Sequence, residues 1–549
     1  MTTIKGYELL AKALKRQGVD TMFFLLGGPM TTSESACLKQ GIRGIDVRHE
    51  QGAAMMAHGY ARSRNRPGVC MAASGPGSIN LTTGLASSLA DCVPVVALGG
   101  SCSALELGNG TFQEIDQVAV MRPVTKWAER VYETRRFPEM VNKAFQTATS
   151  GKRGPVYLDF PGDVLHEVIE ESTIVWPEYD RGTQFGRAGG DPAMVERAIK
   201  LLAAAKQPVL VWGSGAIWSE AAPALRAFVD KTGIPFYTTP QSRGAIPEDH
   251  AYCYLTARNT AFREADLVMI VGTRINYVIW HTRSPRFNEN AKFIRIDIDA
   301  TEIATTPRLD VGIVGDAKRT IEQFNAANDG RVRPELFEEW RSRLAEENQR
   351  RTEAQKVRMA NDQVPIHPLR LCKEIRDFVD RDGILVVDGQ EILNFGRASI
   401  PSYLPGRRIN SGTFGTMGVG LPYAIGAQAA YPDAQVVCLH GDGSFGLNGM
   451  ELDTAARHKL PVITVISLNG GWTADPKKEK AGRDLGFTRY DMMAEALGCH
   501  GEYVEKPQDI RPALERAGAA AKKGVPSLVN VKTDEHAQAN PGRFARYMT

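Results

Sequence analysis

Charge of one sign, paired cysteines and long apolar runs are all missing from this sequence, and each absence removes a class of function. Lys and Arg number 66 against 63 Asp and Glu, a net charge of +3. No basic face for nucleic acid or an anionic membrane is expected, and any anionic ligand must be met by a local site. The eight cysteines (37, 70, 92, 102, 253, 372, 438 and 499) are scattered, with no C-x-x-C pair and no His-rich tract. That pattern argues against a zinc site or a disulfide framework and for a reduced, cytosolic setting. No segment reaches about 18 uninterrupted apolar residues, and the opening MTTIKGYELLAKALKRQGVD reads as an amphipathic helix rather than a signal peptide. A soluble, cytoplasmic protein is expected.

What is present is ordinary globular composition, 43% hydrophobic and 23% charged, over 549 residues. One hydrophobic core does not grow that large, and at about 100 to 200 residues per domain roughly three are expected. Two seams divide the chain, one near 170–192 and a charge-dense, largely helical one near 334–368. The blocks between them, 1–170, 190–330 and 366–549, alternate short β-branched runs (QPVLVWGSG, ADLVMIVGT, AKFIRIDID) with helical periodicity. Each is predicted to be a doubly wound parallel α/β sheet. Blocks one and three echo each other: SGPGSINLTTGLASSLADCVPVVAL from Ser74 lies on HGDGSFGLNGMELDTAARHKLPVITVI from His440 with one residue of slippage.

The second copy contains Gly441, Gly443 and Gly446 in a G-x-G-x-x-G spacing behind a predicted strand. A dinucleotide site is disfavoured, because Asp442 places a carboxylate where a pyrophosphate should approach bare backbone. A cation between the two anions resolves the conflict. Magnesium takes six oxygens, commonly a carboxylate, further protein oxygens and ligand phosphates. After the next helix and strand the chain returns to the same sheet edge at LNGG, where Asn469 offers an amide oxygen and Gly471 a carbonyl. A diphosphate could then bridge the metal and the helix N-terminus near Ser444.

Gly441-Asp442-Gly443 followed by Asn469 resembles the cofactor motif of thiamine diphosphate enzymes, with Leu468 standing where the family more often has a first asparagine. The resemblance covers nearly the whole chain and implies three domains: pyrimidine-binding, middle and diphosphate-binding. It implies thiamine diphosphate and Mg2+ as cofactors, with Asp442, Asn469 and Gly471 on the metal and Gly441, Gly443, Ser444 and Trp472 on the cofactor. Glu50, in DVRHEQGAAMMAHGYARS, matches the glutamate that protonates the aminopyrimidine. Met417, in SGTFGTMGVGLPYAIGAQ, matches the apolar wedge between the cofactor rings, with backbone groups of Gly415 and Met417 addressing the pyrimidine. Family sites join the first block of one subunit to the third block of another, which implies at least a homodimer and, as the expected assembly, a homotetramer.

Within the family the chain is most similar to 2-hydroxyacyl-CoA lyases and oxalyl-CoA decarboxylases. The resemblance implies carbon–carbon cleavage of a 2-hydroxyacyl-CoA to formyl-CoA and an aldehyde or ketone, reversible as an acyloin-type condensation. The alternatives are oxalyl-CoA decarboxylation and an acetolactate synthase or benzaldehyde lyase type of carboligation; Pro29, in LLGGPM, departs from the benzaldehyde lyase histidine. In GTFQEIDQV, Phe112 and Gln113 follow the lyases rather than the decarboxylases, and Glu114 reads as structural. The middle block is expected to take ADP rather than FAD, with Arg274, Asp297 and Asp299 as candidate residues. Arg407 and Arg408, and Arg543 and Arg546 in the carboxyl tail, are the expected partners of the CoA phosphates.

Overall fold

Runs of apolar and β-branched residues that end at glycine or proline become buried strands, and their near-continuous hydrophobicity follows from helices covering both faces of a parallel sheet. The computed structural model describes residues 2–177, 186–475, 477 and 479–539. The first block contributes β1 (Thr21–Phe24), β2 (Arg43–Asp46), β3 (Gly68–Ala72), β4 (Val95–Ser101), β5 (Trp127–Arg130) and β6 (Val156–Pro161). They pair in parallel in the spatial order β2-β1-β3-β4-β6-β5. A short antiparallel pair, Thr3–Lys5 with Val168–Glu170, ties the beginning of the block to its end.

The middle block forms a five-stranded parallel sheet from β7 (Pro208–Trp212), β8 (Phe236–Thr238), β9 (Leu267–Val271), β10 (Lys292–Asp297) and β11 (Val311–Val314), in the order β8-β7-β9-β10-β11. The third block supplies β12 (Ile384–Val387), β13 (Arg408–Asn410), β14 (Val436–Gly441), β15 (Ile463–Leu468), β16 (His500–Val504) and β17 (Ser527–Lys532). Its order is β13-β12-β14-β15-β17-β16. Counted within each block, the first and third sheets therefore share one strand order. The echo between Ser74 and His440 is structural: β3 and β14 hold the same place, and each ends in a turn that starts a helix, Pro76–Asn80 in one and Asp442–Asn448 in the other.

The charged seam differs from a free linker. Its helix, Glu338–Met359, buries Trp340 and Leu344 in the middle core, and the Trp340 indole donates to Pro208 O at 3.1 Å. Each large apolar side chain so buried is worth about 1.5–3 kcal/mol, enough to attach the helix to the middle sheet. The first and third blocks meet through the helices Glu50–Arg64 and Gly420–Ala430. A Cβ at Gly59 would overlap the Tyr423 carbonyl, and one at Gly426 the Met56 carbonyl, so backbone packs on backbone there. All eight cysteines are free thiols, and no helix among the described residues is long and apolar enough to cross a membrane.

Candidate active site

Strands β14 and β15 end side by side, so the turn at Asp442 and the turn at Asn469 share one sheet edge. Asp442 is buried; its Oδ1 accepts from Gly443 N at 2.9 Å and its Oδ2 from Gly471 N at 2.9 Å. The Asn469 amide oxygen is turned toward two other oxygens, 2.8 Å from Gly471 O and 3.0 Å from Asp442 Oδ1; a rotated amide would donate to both. In that orientation the Asn469 oxygen repels each of the other two unless a cation lies among them. A cation with six oxygens at about 2.05 Å separates neighbouring oxygens by about 2.9 Å, which matches the spacing found. The donor set fits a small octahedral divalent ion, and rotation of the amide is the arrangement expected without one. Burial pushes the Asp442 carboxyl up to about 6, against the backbone donors that favour its charge. Among the described residues no group of three His, Cys, Asp or Glu side chains offers a competing metal site.

Arg483 straps this turn in place, donating from Nη2 to Asn469 O at 3.0 Å, from Nη1 to Gly470 O at 3.3 Å and from Nε to Thr473 O at 3.0 Å. It lies in the run KKEKAGRDLG, which reads as a solvated loop and gave no local signal. The Trp472 ring covers Gly443 so closely that no Cβ fits there. Ser444 donates to Gly441 O at 3.0 Å and stands 3.2 Å from His440 Nδ1. Asp388, which the sequence did not single out, is buried between the backbone N–H groups of Gly389 and Gly420 at 2.6 and 2.9 Å. It fixes the start of the helix that follows Met417. Met417 itself is partly exposed, beyond Gly415 at φ 73°.

Glu50 begins its helix and is buried, accepting from Asn80 Nδ2 at 3.0 Å. Gln113 lies on the Ser74–Asn80 turn, held by Ser74 Oγ donating to its Oε1 at 2.5 Å, with its own backbone at φ 61°. A non-glycine residue in the left-handed region is uncommon and persists where the surroundings over-determine it. Phe112 beside it is 85% exposed, while Glu114 accepts from the N–H groups of Gly110 and Thr111 and ties its own loop. The turn thus brings Glu50, Gln113 and Phe112 to one side of the first block.

Among the described residues no hydrogen bond or ion pair joins Glu50 to Asp442, Asn469 or Met417. The start of the Glu50 helix instead meets Glu451 of the third block, which accepts from Arg48 N and His49 N at 3.2 Å. Exposed apolar side chains lie in both blocks, including Leu26 and Phe112 in the first and Phe414, Leu447 and Phe487 in the third.

A cavity of about 1990 Å3 opens between the middle block and its neighbours. Arg274 and Asp297 line it; burial pushes the Asp297 carboxyl up to about 6. Asp299 caps the helix Ala300–Ala304 and pairs with Lys152 at 3.0 Å, the role of an ordinary structural carboxylate. Arg407 and Arg408 do not reach this cavity: Arg407 stacks on Tyr431 at 4.0 Å, and Arg408 is buried, donating to Gly396 O at 3.0 Å. Arg543 and Arg546 lie outside the described residues; Ala539 donates to Glu391 Oε2 at 2.9 Å, on the cavity wall. The sequence did not reveal the cationic side of that wall, where Arg258 faces Arg286 and Arg397. Its Nε and Nη2 are shielded from water with no hydrogen-bond partner. Burial and those two neighbouring guanidinium groups hold Arg258 down to about 9.

Three family models match along the chain: the thiamine pyrophosphate enzyme N-terminal TPP binding domain at residues 4–120, the central domain at 195–324 and the C-terminal TPP binding domain at 394–531. A 2-hydroxyacyl-CoA lyase of Arabidopsis thaliana is 33% identical across 99% of this chain and 98% of its own. An acetolactate synthase large subunit of Mycobacterium tuberculosis is 35% identical across 97% and 96%. An oxalyl-CoA decarboxylase of Escherichia coli is 31% identical across 98% and 97%.

Proposed function

The chain belongs to the thiamine pyrophosphate enzyme family, and we propose that within it this protein is a lyase that cleaves a 2-hydroxyacyl-CoA to formyl-CoA and an aldehyde or ketone. The observation that carries the CoA assignment is the arginine wall. Burying a cation without an anion is costly; Arg258, whose Nε and Nη2 have no hydrogen-bond partner, lines with Arg286 and Arg397 a cavity large enough for a nucleotide-bearing substrate.

Thiamine diphosphate, when bound, supplies the carbon nucleophile and the electron sink for breaking the bond between the thioester carbonyl and the hydroxyl-bearing carbon. Asp442, Asn469 and the Gly471 carbonyl would hold Mg2+ and through it the diphosphate, with Gly441, Gly443, Ser444 and Trp472 shaping the seat. Glu50 would hold a proton at its carboxyl against the aminopyrimidine, oriented by Asn80. Met417 would separate the two rings, with Gly415 giving the backbone turn. Gln113, its Oε1 fixed by Ser74, would donate its amide N–H to the substrate oxygen that becomes the aldehyde or ketone carbonyl. An amide suits that oxygen better than a carboxylate, which would repel a developing alkoxide. Phe112 would close the apolar side. Arg274 and Asp297 are suited to ADP at the far end of the cavity.

In this reading Glu50 of one copy completes the Asp442 site of another, and a homodimer is the least active unit. The apolar side chains exposed in both blocks are suited to that contact, and a homotetramer repeats it. Incubating purified protein with thiamine diphosphate and Mg2+ tests the reading. Formyl-CoA with an aldehyde or ketone, from lactyl-CoA or 2-hydroxyisobutyryl-CoA, is the expected result. Acetolactate from pyruvate, or carbon dioxide from oxalyl-CoA, with no formyl-CoA from either thioester would overturn it.

A further inference from the structure

Between the large cavity and Met417, Thr413 is held through both its N–H and its carbonyl by side chains of other blocks. The Thr413 N–H donates to Asp91 Oδ1 at 2.7 Å, and the Thr413 carbonyl accepts from the Tyr277 hydroxyl at 2.8 Å. Asp91 comes from the turn after the first-block helix Thr82–Ala90, and Tyr277 from the loop after β9. Asp91, Tyr277 and Thr413 all line the cavity. Three residues on, Thr416 Oγ1 stands 2.6 Å from Ser87 Oγ, so the loop that ends in Met417 is fastened twice to the first block and once to the middle block.

Two further features show that this strut is built rather than incidental. Asp91 is buried among His58, Arg62 and Thr413, with His58 Nε2 at 4.0 Å from its Oδ2. Gly412 leaves no room for a Cβ beside that carboxylate, so the loop can approach it only as glycine. On the other side, Tyr277 begins a segment in which Trp280, His281 and Thr282 all occupy the left-handed region, at φ 51°, 50° and 58°. Consecutive non-glycine residues there, one of them β-branched, store backbone strain that the surroundings must sustain, and such strain concentrates at ligand clamps and switches. Trp280 also lines the cavity.

We propose that Asp91 and Tyr277 are positioning residues that hold Thr413 between them and so couple ligand binding in the cavity to the placement of Met417. The inference rests on the reading of Met417 as the cofactor wedge and of the cavity as the CoA site. A ligand that binds the cavity in the described conformation favours the strained Tyr277–Thr282 segment and with it the Tyr277 bond to Thr413. The loop is then already in place when the cofactor arrives. Linkage makes the effect mutual: whatever factor CoA adds to cofactor affinity, the cofactor adds to CoA affinity.

The test measures the dissociation constant of thiamine diphosphate, at saturating Mg2+, for the full-length protein with and without unacylated CoA. In the wild type CoA is expected to tighten the cofactor by about tenfold, within the usual range for coupled sites. Tyr277→Phe, which removes one hydroxyl and leaves the ring, is expected to reduce that factor below about twofold. Asp91→Asn keeps an acceptor for the Thr413 N–H and should retain the coupling, whereas Asp91→Ala should lose it. Should Asp91→Ala fail to fold, Tyr277→Phe decides the matter. CoA that binds without changing cofactor affinity, or a Tyr277→Phe protein with wild-type coupling, would overturn the strut and leave the lyase reading standing. CoA that does not bind at all would overturn both.

Discussion

Gly471 N donates to Asp442 Oδ2 at 2.9 Å across 29 positions of sequence, and the Gly471 carbonyl then lies beside the Asn469 amide. One glycine thus orients the carboxylate and completes the oxygen cluster. Asp442→Ala removes a proposed metal ligand and strands two N–H groups, and Asn469→Ala removes a proposed ligand alone. Both are expected to weaken Mg2+-dependent binding of thiamine diphosphate by about 100-fold or more, since even residues behind metal ligands are worth about 10 to 100-fold. Calorimetry showing tight binding to either variant would refute the metal assignment.

Glu50→Gln keeps the shape and the bond from Asn80 but cannot move a proton. Cofactor affinity should stay within a few-fold of wild type while kcat falls by about 10²- to 10⁴-fold, the usual worth of positioned proton transfer. The check is the rate of hydrogen–deuterium exchange at the reactive carbon of the bound thiazolium, followed by NMR; an unchanged rate removes Glu50 from that role.

That the turns at Asp442 and Asn469 share one edge was legible in the sequence, because a parallel crossover must bring the two strand ends together. Glu50 and Met417 were legible only through resemblance, since a helix-initial glutamate and a loop methionine have ordinary uses elsewhere. Arg258 was not legible. It sits in ARNTAFREAD, which reads as a common amphipathic helix, and its significance comes from Arg286 and Arg397 on separate elements. The pair Arg407 and Arg408 shows the opposite error: adjacent arginines suggest a phosphate site, but strand β13 turns Arg408 inward to backbone carbonyls and leaves Arg407 on Tyr431.

Gln113→Glu preserves size and introduces an anion where the substrate oxygen gains charge. Aldehyde release from a 2-hydroxyacyl-CoA should fall by about 100-fold or more, the scale of losing one donor to a developing oxyanion. Equal or faster release, measured by coupled aldehyde reduction, would exclude Gln113 from the reaction.

Arg258→Ala separates CoA recognition from the chemistry. A charge-assisted bond to phosphate is worth about 1.5–3 kcal/mol, so KM for the acyl-CoA should rise by about 10- to 150-fold with cofactor affinity unaltered. An unchanged KM would take Arg258 out of substrate binding.

Glu451 gives the protein a pH dependence of stability with a definite sign. It is buried at the junction of the first and third blocks, accepting from Arg48 N and His49 N at 3.2 Å and from Thr454 Oγ1 at 2.6 Å. Burial outweighs these donors and pushes its carboxyl from 4.5 up to about 7. The folded state therefore binds the proton more tightly than the unfolded state does, and stability falls as pH rises wherever the folded state holds more protons. Its contribution is fully present below about 4.5 and is lost as pH rises through about 7. The difference across that window is on the order of 3 kcal/mol at most, at about 1.4 kcal/mol per pH unit. Glu451→Gln keeps a neutral side chain at every pH. Its thermal midpoint should lie below that of the wild type at pH 5, where it lacks the native hydrogen-bond pattern, and gain on it steadily toward pH 8. Parallel midpoint profiles for the two proteins would show that Glu451 does not titrate in this range.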